Sequence, residues 1–68
     1  MVDNQKEKLA KLCEHWAIHN ESHKESFAKW RDIANEMQLK SVVEELNKAI
    51  ESMNECNEHL LSVIDHIK

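Results

Sequence analysis

The chain contains no glycine and no proline in its 68 residues. Most tight turns depend on these two residues, because glycine adopts positive φ at little cost and proline presets φ for a turn. A sheet of several strands needs many such turns, so β structure is disfavoured. Long helices with one short connection remain, and we predict an all-α fold with a single domain over residues 1–68.

Two capping boxes mark candidate helix starts. Asn4 and Ser41 are each followed three positions later by a glutamate, and such a pair satisfies backbone amides that lack a partner in the first helical turn. We predict helices over residues 4–38 and 41–67, joined by a short turn into an antiparallel hairpin. Facing residues of the two helices should then have numbers that sum to about 78.

Apolar residues recur in both helices at spacings of three and four, as in coiled coils. The stripe of the first helix consists of Leu9, Leu12, Trp16, His19, His23, Ser26 or Phe27, Trp30, Ile33 and Met37. The stripe of the second helix consists of Leu39, Val42 or Val43, Leu46, Ala49 or Ile50, Met53, Cys56 or Asn57, Leu60, Val63 or Ile64, and Ile67. We predict that the two stripes pack together. Because two helices alone leave apolar surface in water, we also predict a homodimer with a coiled-coil, four-helix arrangement.

The composition excludes several classes of partner. The 9 basic and 13 acidic residues are interspersed, without the basic cluster of a nucleic-acid-binding protein. No apolar run approaches the roughly 20 residues of a membrane span, and MVDNQKEK lacks the apolar stretch of a signal peptide. We expect a cytoplasmic protein without nucleic-acid or membrane partners. Cys13 and Cys56 form no CxxC pair, and we expect both to be small, buried thiols.

Three of the five histidines, His15, His19 and His23, follow one another at intervals of four residues. Each interval advances only about 40° around a helix, so all three share one side. His19 and His23 occupy stripe positions where leucine would stabilise packing better, since a buried imidazole without a partner is costly. Two histidines four residues apart can hold one metal ion from a single helix. The pattern therefore predicts a metal site, with hydrogen-bonded structural histidines as the alternative.

The third histidine is harder to place at one ion. His15 and His23 lie about 12 Å apart along a straight helix axis. Either His19 and His23 bind the metal with groups from elsewhere, or a neighbouring chain contributes ligands. His59 lies level with His19 in the predicted hairpin; we expect it to face water, with ligation at a dimer edge as the alternative. We expect His66 to be exposed.

Catalytic motifs are incomplete in this sequence. The segment HWAIH has the histidine spacing of zinc peptidases, but Trp16 stands where the glutamate base is required. No Glu-x-x-His pair and no glycine-rich loop occurs, which argues against di-iron and phosphate-binding sites. We predict that the protein is not an enzyme and that its imidazoles carry, store or sense a metal. Packing is the first role expected of Trp16, which could also exclude water from the site.

The run from His15 to His23, with Trp16 beside the first histidine, has the pattern H-(W/F)-x2-H-x3-H. This pattern resembles the motif of the CooJ family, nickel chaperones associated with carbon monoxide dehydrogenase maturation. The resemblance is strongest over residues 12–30, and it implies a coiled-coil dimer with His15, His19 and His23 as nickel ligands and Trp16 as the adjoining aromatic. CooJ proteins can carry a histidine-rich C-terminal tail, and no such run occurs in these 68 residues. The resemblance therefore implies the compact site, but not bulk storage.

The expected function is that of a nickel metallochaperone. Such a homodimer would hold Ni(II) and pass it to a nickel enzyme such as carbon monoxide dehydrogenase, or to the accessory proteins of that enzyme. Nickel is implied by the resemblance alone, because imidazole also binds zinc, copper and iron. Zn(II) and Cu(II) are the alternative metals, and a helical dimerisation or adaptor module with structural histidines is the alternative function.

Overall fold

The computed structural model describes residues 2–67, and the side chains of residues 4–67. Within this range it contains two helices and no strand: α1 spans Val2–Glu36 and α2 spans Lys40–Ile67. The prediction of an all-α fold with two long helices is confirmed. Neither described helix is long and apolar enough to cross a membrane.

Both predicted capping positions are wrong. The helix α1 begins two residues before Asn4, so Asn4 lies inside the first turn instead of preceding it. The helix α2 begins one residue before Ser41. The carbonyl of Leu39 accepts the amide of Val43 at 3.0 Å, which makes Leu39 the residue that flanks the start of α2.

The turn between the helices is a Schellman motif. The amide of Leu39 donates to the carbonyl of Ala34 at 3.0 Å, and the amide of Gln38 donates to the carbonyl of Asn35 at 3.0 Å. This pattern requires a left-handed backbone at the residue after the helix cap, where glycine is usual. Gln38 takes that position with φ of 62°. The chain thus makes its turn without glycine, at the cost of a strained glutamine.

Replacing Gln38 with glycine is expected to raise the free energy of unfolding by about 0.5–1 kcal/mol. Glycine relieves the strain at positive φ, and its greater freedom in the unfolded chain offsets part of that gain. Urea unfolding followed by circular dichroism, at one fixed protein concentration, measures the change. Glu36→Gly, placed at the end of α1, is the control and should destabilise the protein. An equal decrease in the free energy of unfolding in both variants would contradict the conclusion that Gln38 is strained.

Side-chain hydrogen bonds between the helices define their register. Asn20 Nδ2 donates to Asn57 Oδ1 at 3.0 Å, and Arg31 Nη1 donates to Asn47 Oδ1 at 3.1 Å. Lys24 Nζ donates to Asn54. The numbers in each pair sum to about 78, the value expected for two helices joined by so short a turn. Residues with higher numbers in α1 therefore lie opposite residues with lower numbers in α2.

The residues between the helices follow an uninterrupted 3-4 repeat. We call this set the interhelical seam; all of its members are buried or half-buried, and they are Ala10, Cys13, Ala17, Asn20, Lys24, Phe27, Arg31 and Ala34 of α1, with Val43, Leu46, Ile50, Met53, Asn57, Leu60, Ile64 and Ile67 of α2. The most buried side chains are small: Cys13 is 2% exposed, and Ala17 and Ala34 are each 5% exposed. Small side chains in α1 let the larger residues of α2 approach its backbone.

The predicted stripe of α1 is therefore wrong as the seam of a single chain. Most of its members lie one position earlier than seam residues and are exposed. We call them the histidine flank: Leu9, Leu12, Trp16, His19, His23, Trp30 and Met37. In the stripe predicted for the second helix, Leu39 and Val42 are exposed, whereas most of the other predicted positions lie in the seam or beside it. One residue corresponds to about 100° of rotation, so the histidine flank faces sideways from the helix pair.

Candidate metal centre

Two of the three predicted ligands are brought together by α1. His19 Nε2 and His23 Nε2 are 3.0 Å apart, and both residues are exposed. The four-residue spacing places the two side chains one above the other on the same side of the helix. Their rings meet edge to face, with centroids 4.5 Å apart and planes inclined by 85°.

This separation suits two neighbouring ligands of one ion. With metal–nitrogen bonds of about 2.1 Å, nitrogens 3.0 Å apart subtend about 90° at the metal. A tetrahedral angle would need a separation of about 3.4 Å at the same bond length. A small rotation of either exposed side chain reaches that separation too, so the pair does not select one coordination geometry. Only one Nε2 can carry the hydrogen of the bond between the rings, so an ion can bind both atoms only when both rings hold their hydrogen on Nδ1.

His15 lies beside this pair without joining it. Its ring is roughly parallel to that of His19, with centroids 6.3 Å apart and planes inclined by 17°. On the other side of the pair, the ring of Phe27 lies 6.3 Å from that of His23. Across residues 4–67, no three histidine, cysteine or acidic side chains lie close enough to hold one ion. A single chain therefore presents two adjacent imidazoles and a third one turn away.

The remaining histidines are both on α2 and exposed. His66 Nδ1 donates to the carbonyl of Ser62 at 2.8 Å, one turn earlier on the same helix. The expectation that His66 is exposed is confirmed, and His59 also faces water in the single chain. Trp16, which follows His15 in the sequence, is 43% exposed, so in one chain it does not close the site against solvent.

The two cysteines differ in environment. Cys13 is buried in the interhelical seam, as expected, but Cys56 is exposed, so the expectation of burial is wrong there. Cys56 directly precedes the seam residue Asn57, and one position rotates it out of the seam. The Sγ atom of Cys56 lies 3.8 Å from the Nδ2 of Asn20, which follows His19 in the sequence. This thiol thus lies on the same side of the helix pair as the histidine flank.

A polar layer crosses the seam beneath the histidines. Asn57 is only 7% exposed. It accepts a hydrogen bond from Asn20 and donates one to Glu21 Oε2 at 2.8 Å. Lys24 Nζ lies 2.9 Å from the same carboxylate oxygen. The hydrogen bond from Lys24 lowers the pKa of Glu21, and the bond from Asn57 acts in the same direction. Buried asparagines of this kind fix the register of paired helices, so the layer holds the histidine-bearing turns of α1 in place against α2.

Sequence reasoning missed this layer. Its signal was present, because Asn20 and Asn57 both stand at positions of the 3-4 repeat that the structure shows to be the seam. The predicted stripe of α1, however, contained His19, whereas the seam contains its neighbour Asn20.

Residues 9–67 match the model of the family Domain of unknown function (DUF8180). No curated protein and no solved structure gives a significant match. The matched region includes the histidine run, α1 from Leu9 onward, the turn and all of α2. The chain therefore belongs to the DUF8180 family.

Proposed function

We propose that the protein is a nickel metallochaperone. In this proposal a homodimer holds Ni(II) through His15, His19 and His23, with Trp16 beside the site, and delivers it to a nickel enzyme such as carbon monoxide dehydrogenase or to the accessory proteins of that enzyme. The observation that carries the proposal is the 3.0 Å separation of the His19 and His23 Nε2 atoms. Nickel is the cargo of the protein, and no reaction is assigned to the chain.

The choice of nickel rests on the resemblance to CooJ. Imidazole binds Ni(II), Zn(II) and Cu(II), and Cu(II) binds nitrogen ligands more tightly than Ni(II) does. The 3.0 Å between the two Nε2 atoms is also an ordinary hydrogen-bond distance, and it does not select among these ions. Zn(II) and Cu(II) are therefore the competitors to test.

The exposed side chains of the histidine flank support the dimer. Leu9, Trp16, Trp30 and Met37 present large apolar surfaces to water on the same side of α1 as the histidines. Large apolar side chains that recur in water along one side of a helix are typical of an interaction surface. We propose that two antiparallel hairpins pair through this flank into a four-helix, coiled-coil arrangement. Pairing would cover the apolar side chains and bring histidines of two chains to one place.

A shared site also explains why a single chain offers so few ligands. One chain supplies the pair His19 and His23, and the partner supplies further imidazoles, among them its copy of His15. His59 of α2 is a further candidate at the edge of such a dimer, since it precedes the seam residue Leu60 and so lies on the same side as the histidine flank. Neutral imidazoles held between two chains can be exchanged one at a time for the donors of a recipient protein, which suits carriage in the cytoplasm.

One observation favours the alternative function, a helical adaptor with structural histidines. The His19–His23 hydrogen bond satisfies one nitrogen of each ring without a metal. An adaptor of this kind would pair through the same apolar flank and have no need of an ion.

Isothermal titration calorimetry on the metal-free protein distinguishes the two functions. The chaperone proposal expects Ni(II) to bind in a fixed ratio to the dimer, with Zn(II) and Cu(II) titrated in parallel to rank the metals. His66→Ala is the matched control, since His66 is also an exposed histidine but lies on α2 and bonds to Ser62. Heats of dilution alone for Ni(II) would leave the adaptor as the supported function.

Nickel affinity is expected to fall as pH decreases. Metal binds the neutral imidazole, so protons compete with the ion for the same nitrogen lone pair and displace it as their concentration rises. With several imidazoles bound to one ion, the loss should be steeper than for one titrating group. Competition titrations between pH 8 and pH 5 measure the dependence. An affinity that stayed constant over that range would indicate carboxylate ligands instead.

A further inference from the structure

The side of the helix pair opposite the histidine flank carries a shallow groove of about 200 Å³. Its floor and walls are Glu14, Ala17, Ile18 and Glu21 of α1 with Asn57 and Leu61 of α2. Ile18 is 63% exposed and Leu61 is 49% exposed. Two aliphatic side chains from different helices therefore stand in water on either side of one groove.

The position of this groove follows from the interhelical seam. Residues that directly precede seam residues, such as His19 and His23, lie on one side of α1. Residues that directly follow seam residues, such as Glu14, Ile18 and Glu21, lie on the other side. The groove therefore stays in water when the histidine flank is covered.

Carboxylates surround the two aliphatic residues. Glu14 and Glu21 line the groove itself, and Glu58 and Asp65 lie one turn before and one turn after Leu61, on the same side of α2. Two bases lie nearby. Lys24 is already bonded to Glu21 and Asn54, and Lys11 follows the seam residue Ala10, one turn before Glu14. We call Glu14, Ile18, Glu21, Glu58, Leu61 and Asp65 the acidic face.

We propose that the acidic face docks a basic amphipathic segment of another protein. An apolar side chain of that segment would lie in the groove between Ile18 and Leu61, where it would cover both. Lysine or arginine side chains around it would pair with the carboxylates, and arginine could bind Glu14 or Glu58 through two parallel hydrogen bonds. A central apolar contact with a charged rim is the usual form of a specific protein interface.

Charge excludes a second copy of this chain as the preferred occupant. Two acidic faces brought together would oppose like charges, which disfavours pairing across an interface. A basic partner gains instead, because opposite charges raise the rate of encounter and fix the orientation of docking. The proposal does not depend on whether the histidines carry a metal.

A designed peptide tests this proposal directly. The probe is a helical peptide with leucines on one side and lysines and arginines on the other, titrated into the isotope-labelled full chain and followed by NMR. Chemical shifts are expected to change at Ile18 and Leu61 and to remain unchanged at Trp16 and Trp30. A matched peptide with glutamate in place of each basic residue should not bind.

Single substitutions sharpen the assignment. Ile18→Ser or Leu61→Ser is expected to weaken binding of the basic peptide at least tenfold, because each removes one wall of the apolar groove. Met37→Ser is the matched control: Met37 has the same 63% exposure as Ile18 but belongs to the histidine flank, so affinity should change less than twofold. All three residues are exposed, and circular dichroism should show unaltered helices.

Several results would overturn the proposal. One is that no basic peptide binds at near-millimolar concentration; another is that Ile18→Ser and Met37→Ser weaken binding equally. Shift changes confined to the histidine flank would place the peptide elsewhere. Self-association of the chain that Ile18→Ser abolished would show that the groove serves contact between copies.

Discussion

His19→Leu or His23→Leu is expected to abolish tight nickel binding while leaving the metal-free dimer at least as stable as the unaltered protein. Each substitution removes one of two nitrogens that lie 3.0 Å apart, so a chelating pair becomes a single ligand. Both residues are exposed in the single chain, and neither imidazole holds the interhelical seam together. In a dimer that covers the histidine flank, a fully buried leucine contributes roughly 1.5–3 kcal/mol. His15→Ala should weaken binding, since the resemblance makes it a third ligand.

Thermal unfolding and nickel titration on the same variants give the required comparison. His66→Ala is the control, and it should leave both nickel affinity and stability close to those of the unaltered protein. Structural histidines predict the reverse result, because each replacement would leave a hydrogen-bond partner unsatisfied at about 1–3 kcal/mol if the pair is buried. Lower stability with intact nickel binding would therefore remove the chaperone proposal and support the adaptor.

Local periodicity explains which parts of the fold could be predicted. The absence of glycine and proline, together with apolar spacings of three and four, was enough to predict two long helices. The helix ends were less predictable, because Asn4 and Ser41 lie inside first turns that begin before them. The turn could be located only approximately, since it uses Gln38 at positive φ where glycine would have marked it.

The choice of seam could not be predicted from hydropathy. The stripe of large residues in α1 is more apolar than the true seam, which there contains alanine, cysteine, asparagine, lysine and arginine. A periodic pattern shows that a helix has an apolar side, but not whether α2 or another chain covers that side. In this protein α2 packs on the smaller residues, because Ala17 and Ala34 allow the helices to approach closely.

Contacts within one chain could be predicted at the candidate site, but contacts with a second chain could not. Spacing alone indicated that His19 and His23 lie close together, and the 3.0 Å distance between them agrees. The position of a third ligand depends on how two chains pair. The sequence pattern of a single chain carries no information about that pairing. The polar layer of Asn20, Asn57 and Glu21 depends on the seam register, and it could be recognised only once that register was known.

Trp30→Glu is expected to convert the proposed dimer into a monomer. Trp30 lies on the histidine flank, is 58% exposed in the single chain and is separated from His23 by two helical turns. In a twofold dimer the substitution occurs twice, so the lost burial amounts to about 3–6 kcal/mol. That loss corresponds to a dimer dissociation constant roughly a hundredfold to ten-thousandfold higher. Sedimentation equilibrium over a range of protein concentrations measures the change.

Ile18→Glu provides the matched control for this substitution. Ile18 has 63% exposure, close to that of Trp30, but it lies on the acidic face. If the histidine flank is the dimer interface, Ile18→Glu should leave the dissociation constant within about threefold of the original value, since surface changes outside the interface usually cost less than 0.5 kcal/mol.

The unaltered protein should be a dimer at micromolar concentration without metal. Light scattering that showed a monomer would contradict both the dimer and any ligand set shared between chains. A monomer produced by Ile18→Glu and not by Trp30→Glu would instead place the interface on the acidic face, and the histidines would then be free to bind metal only within one chain.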